Sequence, residues 1–220
     1  LDEAHDRLPL LGLEQAEPCL HQFSGTVLSP GQWERCAAER GGGEGNDAAE
    51  PQRGGSLVFA REAETSSPWT PSAMICDVAC HQAIKGIYDT LVWPDAEGVP
   101  HGMLLESFEP NADFTEWTLT PREGIQFHDG TPWDVDALAT HFETMRASIL
   151  VGNVFNDISD QQIQGDSLVL TMRNPWNKFP LFLAGQPGYV ASPTWLEGVA
   201  AGTASETEPV GTGPFEYAEY

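Results

Sequence analysis

Residues 114–146 read FTEWTLTPREGIQFHDGTPWDVDALATHFETMR, and the changes of period inside this stretch decide the fold class. Over residues 114–120, Trp117 and Leu119 alternate with Glu116, Thr118 and Thr120, the period of a half-buried strand. Pro121 then fixes φ and Gly124 accepts φ > 0, so residues 120–124 predict a hairpin turn, with Ile125 and Phe127 resuming the alternation on a return strand. His128-Asp129-Gly130 is a second turn. Beyond it, Asp134 is placed to cap the orphan amides of a helix whose Leu138, Phe142 and Met145 fall on one side through Arg146.

Working outward, Met74, Ile75, Val78, Ala79, Ala83, Ile84, Ile87, Tyr88 and Leu91 recur at helical spacings and predict a helix before this stretch. Residues 56–60, SLVFA, are a short buried-strand pattern behind a Gly pair, and residues 61–71 are polar and proline-bearing, hence loop. On the far side, residues 154–158 and 167–172 predict two more strands, the second stopped by Asn174-Pro175. Strands and helices interleave, so the class is α/β or α+β.

The chain has 220 residues, and 33 Asp plus Glu against 10 Lys plus Arg give a net charge of -23. That surplus repels nucleic-acid backbones and anionic lipid, so neither is an expected partner. Seven Trp and ten Phe argue for a globular body, because that much large apolar surface is driven out of water. No apolar run approaches the roughly 18 residues needed to span a bilayer, so direct membrane insertion is not expected. The opening LDEAHDRLPLLGLEQ lacks the basic start and apolar core of a secretory signal. Residues 37–55 hold six Gly and no aliphatic side chain larger than Ala, which predicts a flexible linker. With the aperiodic residues 1–36 they form an appendage, residues 1–55.

The string of residues 86–146 resembles the family 5 extracellular solute-binding proteins of ABC importers. The resemblance is carried by Tyr88-Asp89-Thr90-Leu91, the step Leu105-Glu106-Ser107-Phe108-Glu109-Pro110, the Trp117-Thr118-Leu119 strand, and residues 122–132, REGIQFHDGTP. Near the end, PVGTGPF at residues 209–215 is similar to the family's Gly-Thr-Gly-Pro signature, which there returns the chain to the main lobe. The chain departs from the family at Ala137-Leu138, where an Asp-Val pair is usual, and Trp33-Glu34-Arg35 before Cys36 is not a recognisable lipobox. The resemblance implies the first lobe of a two-lobe, periplasmic-binding-protein-like fold, truncated before the second lobe. In that scheme residues 56–72 and 186–220 belong to the main lobe and residues 73–185 to a smaller α/β subdomain. It also implies reversible capture of a peptide, nickel or a related solute outside the cytoplasmic membrane and delivery to permease subunits. Cys36, followed by a Gly-rich acidic spacer, stands where a lipid anchor would attach, and the expected state is a monomer without cofactor or metal.

Glu62, Glu64, Thr65 and Trp69 lie in the loop after the first strand, from which family members line the solute cleft. Their carboxylates can attract an ammonium group and Trp69 can stack on a side chain; the competing reading is a solvated acidic loop with Trp69 packed on the core. Gln186, Pro187 and Gly188, in a turn before Tyr189, are the second cleft candidates, with the same two readings. His128-Asp129 can be read as an acid–base pair, but no nucleophile motif accompanies it and turn chemistry is the simpler account. Cys76 and Cys80 stand at i and i+4 beside His81, a spacing open to a soft metal, to buried thiols or to one local disulfide. No catalytic residue is assigned. The readings in other directions are a nickel or metal-chelate binder of the same family, and a secreted hydrolase built on two carboxylates. The acidic balance favours neutral or cationic peptides, and one lobe alone is expected to bind weakly, since a clamped solute draws contacts from both.

Overall fold

A computed structural model describes residues 69–218. The strand expected at residues 56–60, the linker, Cys19 and Cys36 lie outside the described residues.

Two aspartates start the longest helices. Asp77 accepts the Cys80 amide at 2.8 Å and opens α1 (Val78–Ile87), which buries Ala79, Cys80 and Ile84 and ends at Tyr88 in extended backbone. Asp134 accepts the Ala137 amide at 2.9 Å and opens α2 (Val135–Ala147), with Leu138, Phe142 and Met145 buried as their spacing requires. The apolar recurrence from Met74 to Leu91 is therefore longer than the helix it contains. Met74 sits in the loop ahead of the Asp77 cap, and Leu91 leads into the first strand.

That strand, β1 (Val92–Pro94), pairs with β2 (Pro100–Gly102) around a turn in which the Asp95 carboxylate accepts the Glu97 and Val99 amides. The main sheet is antiparallel, in the order β3 (Leu105–Pro110), β4 (Glu116–Pro121), β6 (Ser167–Met172), β5 (Ile158–Gln164). On β4 the alternation holds: Trp117, Leu119 and Pro121 are buried while Glu116 is exposed. Helix α2 packs on one face of the sheet, and the larger core closes between them around Trp117, Leu119, Phe142, Leu168 and Leu170.

Two expectations fail for identifiable reasons. The chain turns after Pro121, but residues 125–127 do not return along β4, because β3 and β6 already occupy both of its edges. Instead Phe127 donates to Thr131 and Trp133 to Ile125, closing a small separate loop with a Gln126–Pro132 bridge. Residues 152–157 form a 3-10 helix that buries Phe155, where residues 154–158 were expected to be a strand. The Ser148 hydroxyl accepts the Leu150 and Val151 amides just ahead of it and sets that turn. The strand that does follow, β5, is an edge strand with mostly exposed polar residues, so it carries no apolar alternation to read.

The chain then makes α3 (Phe179–Phe182), a 3-10 turn at Gln186–Gly188, and α4 (Pro193–Ala201), capped by Ser192 at its start and Gly202 at its end. A second, smaller core gathers Met74, Cys80, Ile84, Tyr88, Tyr189 and Trp195, joining α1 to α4.

Candidate functional site

Glu62, Glu64 and Thr65 lie outside the described residues, and Trp69 is the first residue of the described part. Its backbone is held at both ends: the amide donates to Glu206 at 3.1 Å and the carbonyl accepts the Tyr88 hydroxyl at 3.0 Å. Burial raises the Tyr88 pKa well above that of a free tyrosine, so the phenol stays a donor at any ordinary pH. The loop that follows Trp69 folds into one turn, with the Ala73 and Met74 amides both on the Thr70 carbonyl.

The second predicted segment comes to this same loop. Both hydrogen bonds of the Gln186 amide nitrogen go to it, at 3.1 Å to the Pro71 carbonyl and 2.8 Å to the Met74 carbonyl. The Ser148 hydroxyl at the end of α2 donates to the Ser72 carbonyl. Pro187 offers its carbonyl to His141 Nε2 at 3.0 Å, and Gly188 accepts the Leu91 amide. His141 is buried in α2, and desolvation holds its pKa down at about 4, so the ring is neutral with its proton on Nε2. Next along, the Tyr189 hydroxyl lies 3.2 Å from His81 Nδ1, and burial pushes its pKa up to about 12. The loop bearing Trp69 and the turn Gln186–Gly188, 115 residues apart at the Pro71–Gln186 contact, are thus one construction.

Beside it runs an open groove of about 790 Å³ between this loop, the end of α2 and the face of α4. Its walls are methyl-rich, with Ala73, Ile149, Leu196 and Val199, and its polar groups are hydroxyls such as Thr140 and Thr144 plus the carboxylate of Glu197. A mostly apolar concavity with a few polar groups is suited to holding a small molecule. Sequence reasoning missed this groove, because the α2 residues that face it, Thr140, Thr144 and Ala147, lie beside the apolar stripe.

A third construction joins the two turns of the family signature. Asp129 accepts the Thr131 amide at 2.9 Å and the Ser192 hydroxyl at 2.6 Å. Partial burial works to raise its pKa, but these hydrogen bonds outweigh it and hold the carboxyl below the usual range. His128 has backbone on both ring nitrogens, with Nδ1 accepting the Gly211 amide and Nε2 donating to the Gly213 carbonyl at 2.8 Å. Thr212 donates to Asp89 at 3.0 Å; burial raises the Asp89 pKa, against the lowering effect of Thr212 and His128. Gly211 is required by close approach, since a Cβ there would stand 2.1 Å from the Ile87 carbonyl oxygen. His128 thus holds the 209–215 segment, which Thr212, Gly213 and Phe215 fasten to the end of α1, while Asp129 ties its own turn to Ser192; with both groups engaged, the acid–base reading of the pair has no free base to use.

Cys76 and Cys80 form a disulfide with Cα atoms 5.1 Å apart. In that state neither sulfur is a thiolate, so the soft-metal reading of the pair has lost its two principal donors.

The model of the bacterial extracellular solute-binding proteins, family 5 middle, matches residues 99–220. The glutathione-binding protein GsiB of Shigella flexneri is 32% identical over 146 residues, which is 64% of this chain and 28% of that protein. Among solved structures, the periplasmic binding protein DppA from Helicobacter pylori, in complex with the peptide STSA, superposes with a TM-score of 0.64 at 24% identity, covering 76% of this chain and 37% of that one. The nickel ABC transporter protein from Bacillus halodurans gives a TM-score of 0.59 at 25% identity, covering 72% and 31%. The chain thus spans less than a third of the length of the curated relative and matches part of a periplasmic-binding-protein-like fold.

Proposed function

Because the chain belongs to the family 5 bacterial extracellular solute-binding proteins, we propose that it is part of the receptor of an ABC importer, capturing a peptide or related small solute outside the cytoplasmic membrane and passing it unchanged to the permease subunits. The observation that carries this reading is the family match over residues 99–220, a range that includes the sheet, α2, α4 and the Gly211–Gly213 fastening. Capture without chemistry agrees with the arrangement of His128 and Asp129, both engaged by backbone and Ser192. Among the described residues no helix is long and apolar enough to cross a membrane. The receptor would act as a monomer, with Cys36 the position for a lipid anchor.

In this proposal Glu62, Glu64, Thr65 and Trp69 supply contacts of one jaw together with Gln186, Pro187 and Gly188, and the Gln186 amide also ties its turn to the loop at Pro71 and Met74. An aromatic face and carboxylates suit a neutral or cationic peptide, with its ammonium against the acids and an apolar side chain on the ring. Because the chain spans 28% of the length of its glutathione-binding relative, the opposing jaw is expected from outside it, and the chain alone should bind weakly.

Isothermal calorimetry tests this with a panel of di- to pentapeptides, glutathione and nickel–histidine. Each solute is recovered and weighed by mass spectrometry. Weak, saturable binding of peptides recovered intact is expected, and Trp69→Ala should weaken it by about tenfold. Cleaved peptides, or a response confined to nickel–histidine or to anionic solutes, would overturn the peptide-receptor reading.

A further inference from the structure

The two sulfurs of the Cys76–Cys80 bridge sit in different surroundings. Cys80 is 1% exposed and belongs to the smaller core with Ile84 and Tyr88. Cys76 is half-buried at the end of the loop that lines the groove, and its sulfur lies 3.9 Å from that of Met74. Cys80 is the third residue of α1, and its amide is already taken by the Asp77 carboxylate at 2.8 Å. The bridge therefore has one half-buried end open to an incoming thiol and one end shut inside the core.

We propose that this disulfide is an exchange site for low-molecular-weight thiols. An incoming thiol loses its proton to solvent, and its thiolate attacks Cys76 Sγ along the S–S axis. The Cys76–Cys80 bond breaks, its electron pair leaves on Cys80, and a mixed disulfide joins Cys76 to the small thiol. One disulfide replaces another, so no separate oxidant or reductant enters. The Cys80 thiolate takes up a proton, or attacks Cys76 again and expels the thiol. Attack at Cys80 is blocked by its burial. The inference goes beyond the import reading and assumes no particular transported solute.

Opening the bridge cuts the covalent link between α1 and the loop running back through Ile75 and Ala73 to Trp69. The loop keeps its bonds from Gln186, Ser148 and Tyr88, so it stays in place but gains freedom at the end nearest the helix. One wall of the groove is thereby set by the state of the bridge. The Asp77 carboxylate, next to Cys76 in the chain and bonded to the Cys80 amide, opposes the approach of an anionic thiolate and the charge it leaves behind.

The test incubates the whole chain with excess reduced glutathione, or with free cysteine, followed by alkylation and tryptic mapping. Cys76 and Cys80 fall together on residues 62–85, apart from Cys19 and Cys36. One adduct on Cys76 with alkylated Cys80 is expected. Asp77→Asn, which keeps a capping side chain and removes its charge, should speed the exchange by about threefold or more. Cys76→Ser should take no adduct on residues 62–85. An adduct on Cys80, or a bridge that survives thiol concentrations that open oxidised glutathione in the same tube, would overturn the proposal.

Discussion

At Gly211 the choice of residue is made by a single carbonyl. A Cβ there would meet the Ile87 oxygen at 2.1 Å, and that oxygen is fixed because it also accepts the Gly213 amide at 2.8 Å. Gly211→Ala should therefore cost about 2–3 kcal/mol in urea unfolding. Gly130→Ala is the contrasting case: its φ of 82° is unfavourable for alanine but nothing crowds the added carbon, and about 1 kcal/mol is expected. His141 yields a prediction in pH. Its pKa falls from 6.5 in the unfolded chain to about 4 in the fold, so between those values the unfolded state binds the extra proton and stability rises with pH. About 3 kcal/mol is present above pH 6.5 and lost progressively as the pH falls toward 4. His141→Gln, whose amide can still donate to Pro187, should lack this contribution, seen as a shallower dependence of the urea midpoint over that window. Neither effect could be read from the sequence: Gly211 stands in a recognisable motif, but the carbonyl that forbids a side chain belongs to Ile87, and His141 reads as one more polar residue on a helix.

Among the elements, those that the sequence made legible are the ones whose reasons are local. Asp134 caps α2 because a carboxylate three residues ahead of a free amide suffices, whereas the same role of Asp77 is masked by the apolar recurrence that begins at Met74. Asp134→Ala should cost about 1 kcal/mol, measured by thermal or urea unfolding at neutral pH, with α2 otherwise in place. The strands β4 and β6 were legible for the same kind of reason, one from its alternation and the other from an apolar run closed by Asn174-Pro175. What could not be read locally was partnership. The return strand expected at residues 125–127 depended on a free edge of β4, and that edge is filled by β6, some fifty residues later. The strand β5 is held by pairing along β6 rather than by its own side chains, five of which are exposed.

For the whole molecule the dominant quantity is charge. With a net -23 and, among the described residues, only the exposed pairs Arg122–Glu106 and His101–Asp95 as ion pairs, like-charge repulsion opposes folding with little local relief. Screening it should help, so the melting temperature should rise when NaCl goes from about 0.01 M to 0.5 M, where the Debye length falls below about 5 Å; a flat or falling Tm would contradict this. The sequence by itself determined the mixed α/β class, the Asp134 cap and the family, because periodicity, capping and motif spacing are properties of neighbouring residues. The tertiary structure alone decided the order of the sheet, the bridge between Cys76 and Cys80 among its open alternatives, and the meeting of the Trp69 loop with Gln186. The bridge spans only four residues and is decided by the local bend that brings the two Cα atoms to 5.1 Å. The other two are contacts between segments far apart in the chain, settled by which surfaces bury one another and which carbonyls are left for a distant amide to reach.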